Sequence, residues 1–174
     1  MKSFRAPWGT ALVAVSAITT VSCIAVATVP LFADMHGWGF LVAVLPLALV
    51  VGTLPFAIRG YAIGDGTLRI DRPGWSNTIP LDKLESAEAG AKSMKCSIRT
   101  CGNGGLFSFT GWYWCKEWGT YRAWVTHLDR IVVLRFTDRT IAVSPEYPQA
   151  FLETLVAETG IDTLPRSNSQ GDVQ

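Results

Sequence analysis

Two uncharged stretches set only four residues apart constrain this chain more than any other feature. Trp8 to Phe32 carries no Asp, Glu, Lys or Arg, and neither does Gly37 to Ile58. At 1.5 Å per residue these make helices of roughly 37 and 33 Å, each long enough for a hydrocarbon layer of ~30 Å. Pro46 and Pro55 lie in the second run, where neighbouring helices or a local kink can satisfy the freed carbonyls. Ala33, Asp34, Met35 and His36 alone connect the runs. So short a connection predicts an antiparallel helical hairpin.

The cations give the hairpin an orientation. Lys2 and Arg5 precede the first run, Arg59, Arg69 and Arg72 follow the second, and the connecting loop has none. Lys and Arg beside membrane helices stay on the cytoplasmic side, so both termini are expected there and the chain is expected to be multi-pass in a plasma (inner) membrane. A cleaved secretory signal also has a basic start and an apolar run, but this run is too long for one and a second follows at once. The expected organisation is a cytoplasmic N-terminus (1–7), transmembrane helices over 8–32 and 37–58 around an external loop (33–36), a cytoplasmic domain (59–164) and a disordered polar tail (165–174).

A length of 174 residues leaves room for one domain beyond the hairpin. Fifteen basic against fourteen acidic residues lack the basic footprint that phosphate-backbone binding requires, so nucleic acid is not an expected partner. Cys23, Cys96, Cys101 and Cys115 form no CxxC pair and stand far from His36 and His127 in sequence. No metal site or cofactor is expected, and the thiols are read as reduced.

After Arg59 the pattern breaks into short stretches divided by turn residues, which marks a β-rich domain. Tyr61 to Ile63 and Thr67 to Ile70 around Gly64-Asp65-Gly66 read as a hairpin, Trp75 to Leu81 as a third strand, and Leu84 to Ala87 as a fourth. The middle is less regular: the glycine loop Gly102 to Gly105 leads into Leu106 to Phe109, Thr110 to Trp114 and Tyr121 to Val125, read as two or three strands broken by glycine turns. Ile131 to Phe136 and Ile141 to Val143 around a polar turn make an antiparallel hairpin. Pro148 to Thr159 places Phe151, Leu152, Leu155 and Val156 at helical spacing, with proline near its first turn and Gly160 after it.

Arg99, Gly102, Gly104 to Phe107, Gly111 and Trp112-Tyr113, then Val132 to Leu134, Ile141 to Pro145 and Phe151-Leu152, resemble the bacterial pleckstrin-homology (PH) domains found behind two membrane helices. The resemblance covers roughly residues 60–157. It implies an α+β, mainly β fold: a bent antiparallel sheet or partly open barrel, capped by a C-terminal helix and preceded by the transmembrane hairpin. It also implies a binding or scaffolding role, without catalytic residues. Eukaryotic relatives that hold phosphoinositides use a basic first hairpin. Here the turn is Gly64-Asp65-Gly66, whose acid repels phosphate, so phosphoinositide is not an expected ligand.

Three readings of function remain. The first is a scaffold for a protein partner or for homo-oligomers. The second is contact with the lipid bilayer surface through Lys92, Lys95 and Arg99, a cationic group without an intervening acid, and through Trp112, Trp114 and Trp118, since indoles favour the membrane interface. Against it, charge groups usually mark a solvated face, and alternate aromatics can fill a small barrel. The third is an accessory subunit acting through the hairpin, where Gly9, Ala14, Ala17, Ala25 and Ala27 would allow close helix packing. A hydrolase assembled from His127, Asp129 and Ser108 or Cys115 has no support in spacing. The glycine loop suits close packing better than a phosphate cradle, because strand-like rather than helical sequence follows it.

Overall fold

The computed structural model describes residues 1–32, 38–89, 94 and 97–161. The first uncharged run forms α1 (Thr10–Phe32), and the second forms α2 (Gly39–Thr53), continued by a 3-10 turn at Leu54–Phe56. The spans Thr10–Pro30 and Gly39–Phe56 are long and apolar enough to cross a membrane. Most of their side chains are not covered by protein: Ile18 is 68% exposed and Leu45 63%. A core helix of a soluble protein would bury such residues. The loop expected at 33–36 and the tail expected at 165–174 lie outside the described residues.

Lys2–Arg5 forms a strand, β1, paired antiparallel with β2 (Gly60–Gly64), Lys2 opposite Ile63 and Arg5 opposite Gly60. The helical pair is therefore inserted between two neighbouring strands of one sheet. A domain boundary at residue 59 leaves this strand out. Its four residues carry one apolar side chain, Phe4, which is too little for a readable period.

The sheet continues through β3 (Thr67–Asp71) and β4 (Ser76–Pro80) in the order β1-β2-β3-β4. Asp65 and Gly66 both have positive φ, 54° and 65°, the left-handed pair that lets a two-residue turn match strand twist. A second sheet is built from β5 (Leu84–Ala89), β6 (Ile98–Gly104), β7 (Phe109–Cys115), β8 (Gly119–Val125), β9 (Val132–Phe136) and β10 (Thr140–Val143). Its order is β5-β9-β10-β8-β7-β6. With the closing helix α3 (Pro148–Thr159), this is the expected mainly β, α+β fold, its described strands forming two sheets rather than a closed barrel.

Two details differ from expectation. β10 pairs with β8 in parallel, Ile141 beside Arg122, within an otherwise antiparallel arrangement. The glycine stretch expected as a loop belongs to β6 as far as Gly104. There Gly102 faces Gly111 across the ladder. A Cβ on Gly102 would strike the Thr110 carbonyl, and one on Gly111 the Cys101 carbonyl, so both glycines serve close approach of two strands.

The second sheet buries apolar residues on both faces. Trp124, Leu134, Ile141 and Val143 meet Tyr61, Leu68 and Ile70 of the first sheet, with Phe151 and Leu155 of α3 closing the same core. Tyr113, Tyr121, Val125, Val133 and Ala142 make a second core on the opposite face. A buried polar knot ties the sheets together. Tyr61 Oη donates to the Trp124 carbonyl (2.7 Å) and accepts from Ser144 N (3.2 Å), while Ser144 Oγ accepts from Thr126 N (2.8 Å) and His127 N (3.2 Å).

The helical pair is fastened at its root. Gly9 N donates to the Thr126 carbonyl (2.9 Å), Ala6 N to the Arg59 carbonyl (3.2 Å), and Ser108 Oγ to the Phe56 carbonyl (2.9 Å). Both ends of the pair thus meet the domain, as a hairpin requires. Ser16, about two turns into α1, donates to the Gly105 carbonyl (3.1 Å) and accepts from Phe107 N (3.0 Å). Phe107 holds φ of 63°, a conformation that an aromatic residue adopts only when its surroundings impose it.

Candidate functional site

Residues opposite one another in a ladder share a face. Val143, Trp124 and Thr110 form one such row, and Ile141, Arg122, Trp112 and Cys101 the next. At the β10 end this face is covered by the first sheet. Towards β6 the cover ends and the face is open: Trp112 is 41% exposed, Trp114 44%, and Ile98, opposite Trp114, 64%. β6 is the sheet's edge, so this apolar strip adjoins a row of backbone groups unpaired among the described strands. Arg122 lies against it, its guanidinium carbon 5.5 Å from the Trp112 ring centre.

The candidate residues of the sequence do not gather on one face. Trp112 and Trp114 point to the open strip. Trp118 is buried in the second core, its ring edge-on to Tyr121 at 5.3 Å. Arg99 pairs with Tyr113 and lies on that second-core side, exposed, its guanidinium crossing Gly104. Burial raises the Tyr113 hydroxyl above its ordinary pKa, and the Arg99 charge opposes this. Lys92 and Lys95 lie outside the described residues. Period-two alternation separates Trp112 and Trp114 from Tyr113, but Trp118 falls in the turn after β7, where alternation gives no direction.

The residues considered for hydrolysis are each engaged locally. His127 Nδ1 accepts from Asp129 N (3.2 Å), Cys115 Sγ accepts from Trp118 N (3.3 Å), and Ser108 Oγ is held between the Phe56 carbonyl and the Thr110 hydroxyl. A cleft of about 680 Å³ opens at the hairpin root, walled by Trp8, Leu54, Ile58 and Phe107, with Arg5, Arg59 and Glu146 at its margin. Nothing in the sequence marked it, because its lining comes from five separated segments.

Two sheets, a capping helix and an open, aromatic sheet face define a β-sheet binding module joined to a helical hairpin of membrane-spanning length. The family model of the Bacterial PH domain matches residues 59–158, and the chain belongs to that family. PH domains are generally binding modules rather than catalysts. The match starts after the hairpin, so β1 lies outside it. No curated protein and no solved structure matches the chain.

Proposed function

We propose that the protein is a non-enzymatic, membrane-anchored scaffold that holds a protein chain, a partner or a second copy, at the inner face of the plasma membrane. The observation that carries this reading is the edge strand β6 beside exposed Trp112, Trp114 and Ile98. An incoming strand gains main-chain hydrogen bonds from such an edge, and flanking indoles supply the anchoring contacts that dominate many interfaces. Position favours a protein over lipid: Trp114 lies six residues beyond Ser108, about 20 Å along the strand from the hairpin root. Arg5 and Arg59 at that root, with Lys2 three residues further along β1, support a cytoplasmic domain through the retention of cations on that side.

The test is photocrosslinking in native membranes from an unnatural residue at Ile98 or Trp114 of the full chain, with Glu153 on α3 as the comparison position. The reading expects one protein adduct of common mass from 98 and 114, absent from 153 and weakened by Trp112→Ala. Lipid adducts alone from 98 and 114 would overturn it and favour surface contact with the bilayer.

A further inference from the structure

We propose that the notch where the first sheet ends against the second is an anion site for a phosphate group, carried by a phospholipid headgroup or free in solution. The inference is independent of what occupies the β6 edge. A cleft of about 420 Å³ opens between the β3–β4 turn and strands β7 and β8, with Thr53 and Phe56 at the end of the second apolar helix forming one wall.

Two arginines line it. Arg72, in the β3–β4 turn, is only 8% exposed, and its Nε is buried without a hydrogen-bond partner among the described residues. Its guanidinium carbon lies 5.8 Å from the Trp75 ring centre. Arg122, on β8, lies 4.8 Å from the Trp124 ring centre and is open to the cleft. No carboxylate is among the described residues that line it. Burial, and then the Arg122 charge, lower the Arg72 pKa from its ordinary value, with the Tyr61 hydroxyl opposing.

A buried guanidinium Nε without a hydrogen bond is unfavourable, and a second cation within electrostatic reach adds to the penalty. One anion between them relieves both. Two planar donor forks suit an anion with several acceptor oxygens, and phosphate accepts such forks in pairs. Thr110 lies on the same wall, but its hydroxyl proton goes to Ser108 Oγ, whose own proton goes to the Phe56 carbonyl, so the two guanidiniums carry the contact with the anion. Phe56 and Trp75, edge to face at 5.5 Å, give the cleft an apolar side that fits the glycerol and upper acyl carbons of a lipid. Its place beside the end of α2 puts it within reach of headgroups, while free phosphate would meet the same donors. The hairpin-root cleft is larger, but Glu146 offsets its two exposed arginines. The acidic Asp65 turn is at the opposite end of the β2–β3 hairpin from Arg72, so it does not repel an anion here.

The experiment uses the full chain in zwitterionic detergent micelles. Binding is followed by calorimetry and thermal unfolding with two probes, inorganic phosphate and short-chain phosphatidylglycerol, with phosphatidylcholine as the neutral comparison. Arg122→Gln changes an exposed residue and should fold, whereas Arg72→Gln alters a buried one. The wild type is expected to bind at least one probe and to unfold at a higher temperature with it. Arg122→Gln should bind about tenfold or more weakly, while Arg59→Gln at the hairpin root should bind as the wild type does. A response to phosphatidylglycerol alone assigns the group to a lipid, and a response to inorganic phosphate shows that the free ion suffices. No response of the wild type to either probe, or an undiminished response of Arg122→Gln, would overturn the site.

Discussion

Tyr61 and Ser144 show how single polar groups lock two apolar sheets in register. Removing the Tyr61 hydroxyl strands the Trp124 carbonyl and the Ser144 N–H, so Tyr61→Phe is expected to lower stability by about 1–3 kcal/mol. The same residue predicts an alkaline limit. Burial pushes its pKa up to about 12, against the opposing hydrogen bonds of Ser144, whereas the unfolded value is about 10. Between those values the unfolded chain has released a proton that the folded chain keeps. The unfolded state then binds fewer protons, so stability falls as pH rises. The contribution is complete below pH ~10, and about 2–3 kcal/mol is lost by pH ~12. Denaturant unfolding at pH 8 and 11 should show a smaller loss in Tyr61→Phe than in wild type; equal losses would exclude Tyr61 as the source. Ser16 poses a parallel case at the hairpin. Ser16→Ala removes a bond to the Gly105 carbonyl and the acceptor of the strained Phe107 N–H, with an expected cost of about 1–3 kcal/mol in thermal or denaturant unfolding.

Among the elements, β1 carries the most consequence for its size. Phe4 is buried and meets Phe151 of α3 edge-on at 5.2 Å, so this short strand supplies part of the core that α3 closes. Phe4→Ala is expected to destabilise by about 3 kcal/mol or more. The chain ends of the hairpin meet at Ala6 and Arg59, whose backbone bond spans 3.2 Å. A version in which a few glycine and serine residues replace 8–57 should therefore close the sheet without strain. Its circular dichroism should be β-rich, and its unfolding midpoint should exceed that of residues 59–161 expressed alone. Equal midpoints would deny β1 a structural role, and a mainly helical spectrum would contradict the fold.

At the scale of the whole molecule, β1 and β2 share one sheet, so residues on either side of the helical pair must share one side of any membrane the pair crosses. A reporter fused before Met1 and one fused after Gln174 are expected to give the same, cytoplasmic, answer. Opposite answers would contradict the pairing of β1 with β2, and two external answers would reverse the orientation drawn from Lys2, Arg5 and Arg59. The Ser16 contacts add an expectation of depth. From Ala17 to Phe32 α1 spans about 24 Å, short of a ~30 Å hydrocarbon layer. The Leu106-Phe107 loop should therefore sit in the interfacial zone, and an environment-sensitive dye on Leu106→Cys should report a less polar setting than one on Thr137→Cys.

The sequence by itself determined what local pattern encodes: two helices of spanning length from unbroken apolar runs, the β2–β3 and β9–β10 hairpins from alternation around turn residues, and α3 from its spacing with Pro148 and Gly160. It also carried the family resemblance. Only the tertiary structure decided what depends on segments distant in the chain. The four residues of β1 have too little pattern to declare a strand and acquire one by pairing with Gly60–Gly64. Trp112 and Trp118 are the same residue type a few positions apart, yet one lies on an open face and the other in a core, because burial is set by what the rest of the chain places over each. Arg72 and Arg122, 50 positions apart, become one cationic cleft only when two sheets meet, and charge proximity in space leaves no trace in sequence spacing.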